Sequence, residues 1–336
     1  MTAASTRDDT FDFIKGVLVL LMVLYHVMSI TSVAAEEHFR YIRFISGSFI
    51  FVSGYLVARF IGKGFRKAPG PVARRLAIRG VKILLIFAVL NFLIHAAGFG
   101  NVGKVQLGAW GFLRESPVIF LRGDGRISSF LILLPIGYML MLAPLVIALS
   151  VVGGGVATWI MLVAAIGLAA VPAVWHGVPV VEFLLVGLIG MLAGLLRSRY
   201  PSLGSQWRIG LLISGLGLLG AVWLSGHSGI NVATYSLSIA VVLLFMYAFG
   251  AALLRAKTPT EATILLGRYS LLAYIAQIVV IQVGFRALGG QRTEVGILTL
   301  GMCVGTAILL IVGIRLLEHM RKRSALVDRC YRAVFT

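Results

Sequence analysis

The stretch Asp12-Phe13-Ile14-Lys15-Gly16-Val17-Leu18-Val19-Leu20-Leu21-Met22-Val23-Leu24-Tyr25-His26 decides which solvent this chain folds in. Ten uncharged residues separate Lys15 from His26, and the apolar run continues to about residue 33. A helix of that length crosses a hydrocarbon core roughly 30 Å thick. A signal peptide would carry a positive leader. Here Arg7 and Lys15 stand against Asp8, Asp9 and Asp12, so the segment reads as a retained span. Further apolar runs lie near 44–61, 83–99, 127–150, 156–175, 180–196, 209–225, 232–254, 269–288 and 295–317. The expectation is an all-α polytopic membrane bundle of about ten transmembrane helices. Composition agrees: the 336 residues are 59% hydrophobic and 12% charged, with mean hydropathy +0.99. Soluble domains carry about 25% charged residues. No stretch is long and polar enough to fold alone in water, which excludes a soluble enzyme on a membrane tail. The loops are short, and residues 1–336 read as a single transmembrane domain.

The net charge of +18 is a topology signal before it is a clue to partners. Lys and Arg fall in blocks between apolar runs, as in membrane proteins, and do not mark a nucleic-acid surface. With the N-terminus inside, inner segments hold 20 basic residues and outer segments 8. Both termini are therefore expected in the cytoplasm. Gly187, Gly190 and Gly194, and Gly210, Gly215, Gly217 and Gly220, suit close helix–helix packing. Cys303 and Cys330 cannot form a disulfide framework and read as free thiols.

Ionisable groups within the bilayer are costly and mark candidate sites. Lys15 and His26 are eleven residues apart, which brings them within about 20° of one helix face and about 16.5 Å apart along the axis. Asp12, three residues before Lys15, shares that face. A charge at the inner mouth and a titratable base at mid-depth fit the wall of a reaction tunnel, and histidine suits proton transfer near neutral pH. Each also has a plainer reading: Lys15 as an inner-surface anchor, His26 as a neutral imidazole bonded to a neighbouring helix. Residues 62–82 add Lys63, Arg66, Lys67, Arg74, Arg75, Arg79 and Lys82 without one acid. Arg75, Arg79 and Lys82 repeat at i, i+4, i+7 and share a helix face. Attraction to anionic lipid accounts for their number. Their alignment equally fits a socket for a polyanionic cytoplasmic donor, since guanidinium groups pair bidentately with phosphate.

These residues resemble the membrane-bound acyltransferase-3 family. Asp12-Phe13-Ile14-Lys15-Gly16 followed by His26 is similar to its first-helix signature of a basic residue, ten residues and a histidine. Phe49-Ile50-Phe51-Val52-Ser53-Gly54-Tyr55-Leu56 resembles its second-helix stretch, and Arg74-Arg75-Leu76-Ala77-Ile78-Arg79 its Arg-rich entrance to helix three. Leu266-Gly267-Arg268-Tyr269-Ser270-Leu271-Leu272-Ala273-Tyr274 looks like its late motif. The resemblance runs from about residue 10 to 320. It implies a bacterial inner-membrane O-acyltransferase with a cytoplasmic acyl-CoA donor, acetyl-CoA or succinyl-CoA, and no metal. The acceptor would be a hydroxyl of a cell-envelope glycan or glycolipid. His26 matches the catalytic histidine, Lys15 its partner at the donor mouth, and Arg75 and Arg79 the CoA-phosphate contacts, with Arg74 and Lys82 beside them. The family more often has Arg at the Lys15 position. Gln277 stands where many relatives have a histidine, so it is assigned no catalytic role. Phe130-Leu131-Ile132-Leu133-Leu134-Pro135-Ile136-Gly137-Tyr138 resembles the branch that succinylates periplasmic glucans.

On this reading His26 acts as general base on the acceptor hydroxyl or transiently carries the acyl group. Asp12 positions Lys15, and Ser53 or Tyr55 is a candidate donor to the thioester oxygen. The alternative is a lipid or solute transporter or flippase, which also needs polar groups at mid-membrane. The two halves show no convincing repeat. Arg122-Gly123-Asp124-Gly125-Arg126 reads as turn chemistry, and His95 and Glu182 as buried hydrogen-bonded groups.

Overall fold

The structure, a computed structural model, describes residues 8–32, 44–64, 69–97, 105–125, 127–176, 178–199, 232–290 and 296–335. The described residues form helices and no strand. In chain order they are α1 (Asp9–Thr31), α2 (Phe44–Gly64), α3 (Pro69–Ala96), α4 (Gly108–Arg122), α5 (Leu133–His176) and α6 (Pro179–Arg199). Then follow α7 (Val232–Arg255), α8 (Glu261–Arg268), α9 (Ser270–Ala287), α10 (Ile297–Arg323) and α11 (Ala325–Phe335). Six of the helices are long and apolar enough to cross a membrane, among them α1, α3, α6, α9 and α10. The expected run at 209–225 lies outside the described residues. Exposed aliphatic residues repeat at helical spacing on α3 (Leu85, Val89, Leu93) and α10 (Leu300, Val304, Ile308, Val312, Leu316). Such unbroken apolar faces are stable against lipid, not water.

Two expected helices are one. The runs expected at 127–150 and 156–175 belong to one helix, since α5 continues through Gly153-Gly154-Gly155 for 44 residues in all. That is about 66 Å of helix, twice a membrane core, with apolar stretches Leu133–Leu149 and Thr158–Val171. Glycine costs about 1 kcal/mol per residue in a helix. In an apolar medium an unpaired peptide group costs more, so the backbone keeps its internal bonds. Three helices that a hydropathy reading passes over, α4, α8 and α11, are added to the expected set.

The chain divides into two compact units. In the unit built on α2 to α6, glycines set the helix spacing. Gly54 faces the Gly187 backbone, and Gly190 and Gly194 lie on the carbonyls of Phe51 and Tyr55, so α2 and α6 touch main chain to main chain. This is the role expected of Gly187, Gly190 and Gly194. Gly80 of α3 meets Gly137 of α5 in the same way. Asn91, fully buried on α3, clasps the Ser129 backbone: its Nδ2 donates to the Ser129 carbonyl at 2.9 Å and its Oδ1 accepts from the Ser129 N–H at 2.7 Å. His95 stacks on Phe112 and accepts from the Leu107 N–H at Nδ1, which leaves Nε2 to donate to the Ile127 carbonyl at 3.1 Å. It is the buried, hydrogen-bonded group expected. Gly123 ends α4 in the left-handed region at φ 70°, and the Asp124 carbonyl accepts from Ser128, the turn chemistry expected of that stretch.

In the other unit α1 is the central post. Thirteen of its 23 residues are buried, against α8, α9 and α10, as befits a helix apolar all round. Gly250 of α7 approaches the Phe13 ring, and Phe11 packs on Tyr247. Asp9 at the start of α1, Arg268 at the end of α8 and Arg321 at the end of α10 gather at one end of this unit.

Candidate active site

The site in this unit is built around the junction of α8 and α9, the segment Leu266–Tyr274. Gly267 lies directly on the main chain of α1: a Cβ there would run into the Asp12 carbonyl oxygen. Gly16 reciprocates, since its missing Cβ would overlap the Thr263 carbonyl oxygen. Two glycines facing each other let two helices approach at backbone distance. That approach places the next residues of the junction. Arg268 reaches Asp9 at 3.1 Å and Asp12 at 3.8 Å. Tyr269 interrupts the helix, and one turn later Tyr274 brings its ring to 6.4 Å from the His26 ring.

Asp12 and Lys15 form the ion pair their i, i+3 spacing implied, Nζ to Oδ1 at 2.7 Å. The carboxylate is only 4% exposed and the ammonium 17%. A buried carboxylate without partners is costly; here Lys15 takes one oxygen and Arg268 lies beside the other. Arg268 was missed as a partner. The available signal was charge balance, because Asp9 and Asp12 at one helix end exceed the single Lys15 on the same helix. His26 is half-buried with its Nε2 atom fully enclosed, edge-on to Tyr25 at 5.2 Å and beside the buried Tyr274. Thr31, one turn further along α1, meets Thr299 of α10 hydroxyl to hydroxyl at 3.2 Å, both buried. The unit thus carries polar groups from the Asp12–Lys15 end through His26 and Tyr274 to Thr31.

Ser53, Arg74, Arg75, Arg79 and Lys82 belong to the other unit. On α3 the buried residues are Leu76, Gly80, Ile83, Phe87, Asn91 and His95. Arg75, Arg79 and Lys82 each precede one of the first three, so the cationic stripe flanks the seam with α5. Arg74, Arg75 and Arg79 are exposed and Lys82 half-buried. The Ser53 hydroxyl donates to the Phe49 carbonyl of its own helix at 2.8 Å. Its proton is committed to the backbone, which is the ordinary structural use of serine in a helix.

Arg321 joins the end of α10 to the junction. Its Nη1 donates to the Tyr269 hydroxyl at 2.9 Å, its Nε and Nη2 to Asp328 at 3.0 and 2.7 Å, and its guanidinium lies 4.0 Å from the centre of the Tyr331 ring. Asp328 also pairs with Arg332. Hydrogen bonds from Arg321 and then Arg332 hold the Asp328 carboxyl below the ordinary aspartate value. A carboxylate whose pKa is lowered in the docked state stabilises docking above its undocked pKa. That contribution is lost as pH falls through the lowered value. Hydrogen exchange should therefore show residues 325–335 protected at neutral pH and released only below about pH 4. Asp328→Asn should release them already at pH 7. Equal protection in the variant at pH 7 would contradict this.

Among the described residues no group of three His, Cys, Asp or Glu is placed to hold a metal ion. Cys303 and Cys330 are both free.

The family model described as an acyltransferase domain matches residues 8–314. Nodulation protein NolL of Sinorhizobium fredii is 30% identical over 120 residues, covering 33% of this chain and 32% of that protein. The chain thus matches about a third of the length of that curated relative. No solved structure matches.

Proposed function

The chain belongs to the membrane-bound acyltransferase-3 family, and from that membership we propose that it transfers an acyl group from acyl-CoA to a hydroxyl of a cell-envelope glycan or glycolipid. The donor is acetyl-CoA or succinyl-CoA, taken from the cytoplasmic side of a bacterial inner membrane. The observation that carries the reading is the convergence of two segments about 250 residues apart in sequence: Gly267 seated on Asp12, and Tyr274 beside His26.

In this reading His26 accepts the proton of the acceptor hydroxyl as its oxygen attacks the thioester carbonyl carbon. The carbon–sulfur bond breaks, CoA leaves as thiolate, and the imidazolium returns the proton to give free CoA thiol. Lys15, held by Asp12 at 2.7 Å, neutralises charge at the donor end. The exposed guanidinium groups of Arg75 and Arg79, with Arg74 and Lys82, bind the CoA phosphates. Ser53, bonded to its own helix, is a packing residue in this scheme.

The donor socket is tested by Arg75→Gln with Arg79→Gln. Each charge-assisted bond contributes about 1.5–3 kcal/mol, so KM for acetyl-CoA or succinyl-CoA should rise at least about tenfold while kcat changes less. Acetyl-pantetheine, which lacks the nucleotide phosphates, should no longer distinguish variant from wild type. An unchanged KM for the CoA donor would remove these arginines from the site.

A further inference from the structure

Gln277 lies on α9, one turn beyond Tyr274, about 4.5 Å further along the helix and away from the Asp12–Lys15 end. Its side chain is fully buried, and among the described residues neither its Oε1 nor its Nε2 has a hydrogen-bond partner. A buried carboxamide with both ends unpaired is among the costlier things a helix can carry. Apart from Tyr274, the rest of the buried face of α9, Ala273, Ile278, Ile281 and Phe285, is apolar, so packing alone would be served by leucine. The amide sits on the helix that brings Tyr274 to His26, on its buried side.

A carboxamide presents one donor and one acceptor side by side in a plane. That pairs with two adjacent hydroxyl groups, one accepting from Nε2 and one donating to Oε1. It does not complement a thioester or an alkyl chain. We propose that Gln277 is the acceptor-recognition group of this protein, holding a vicinal diol of a polyhydroxylated acceptor so that a hydroxyl meets His26. The inference rests on the acyl-transfer reading above and narrows it, because two adjacent hydroxyls meet both amide ends with straighter hydrogen bonds than one isolated hydroxyl can. Unpaired in the free protein, Gln277 acquires its two bonds when the sugar is bound.

The test uses the full chain in membrane vesicles that retain their own envelope glycans and glycolipids, supplied with radiolabelled acetyl-CoA or succinyl-CoA. Wild type is compared with Gln277→Leu, Gln277→Met and His26→Ala. Transfer of label to the glycan and glycolipid fraction should fall about 10- to 100-fold in both Gln277 variants. Slow donor hydrolysis, in which water replaces the acceptor, should persist in them and vanish in His26→Ala. Thermal unfolding of the purified variants should be no lower than wild type, because an unpaired amide is replaced by an apolar group. Wild-type transfer in either Gln277 variant overturns the proposal. So does a loss of transfer matched by a lowered unfolding midpoint in both, since that marks a structural amide. If wild type and His26→Ala give equal label, the acyl-transfer reading itself has failed, and the acceptor site with it.

Discussion

His26→Ala is expected to lower acyl transfer by about 10²–10⁴-fold, with the protein still folded and inserted. The imidazole is half-buried between Tyr25 and Tyr274. On the mechanism proposed above, removing it deletes the group that takes the hydroxyl proton and returns it to the departing thiolate. Both half-reactions fail together. His26→Gln separates chemistry from packing: it restores much of the lost volume and a polar end, but no group that titrates near neutral pH. It should remain as inactive as alanine. Activity recovered by glutamine would reassign His26 to substrate positioning.

Gly267→Val should have the broader effect. The added Cβ meets the Asp12 main chain, not a flexible side chain that can move aside. α8 and α1 must then separate, and with them go the Arg268 contacts to Asp9 and Asp12 and the approach of Tyr274 to His26. Overpacking of this kind costs about 1–3 kcal/mol when side chains yield, and more here, where backbone faces backbone. Both thermal stability and transfer should fall, in contrast to His26→Ala, which takes activity alone. Gly284→Val on α9 is the control, because the nearest atom a Cβ would meet there is the flexible end of Met302 at 3.8 Å. A Gly267→Val protein of normal stability and activity would mean that this helix crossing is not required.

Much of this was legible in the sequence where the information is local. Apolar runs located α1, α2, α6, α7, α9 and α10 to within a few residues at most ends, because lipid demands about 20 apolar residues in a row. The i, i+3 spacing located the Asp12–Lys15 pair, and small residues marked the α2–α6 crossing. Where two local signals competed, the reading broke down. The break in the apolar pattern at 151–155 divided one helix into two, but a helix in an apolar medium keeps its hydrogen bonds. The helices α4 and α11 alternate polar and apolar faces and so never form an apolar run. Partners brought in from far along the chain were the least legible: Arg268 against Asp9, Arg321 on the Tyr269 hydroxyl, Tyr274 beside His26. The late motif was visible as a string of residues. Its physical meaning, one junction reaching a helix crossing, an ion pair and the histidine, exists only in the folded unit.

The most direct measurement is to give purified wild-type protein, reconstituted with an envelope glycolipid fraction, acetyl-CoA or succinyl-CoA. Free CoA thiol and acylated glycolipid are then read in the same sample. Thiol should appear in step with an acetyl or succinyl mass on the acceptor, and His26→Ala should produce neither. Movement of lipid or solute across the membrane with no thiol released would contradict acyl transfer and make the chain a transporter.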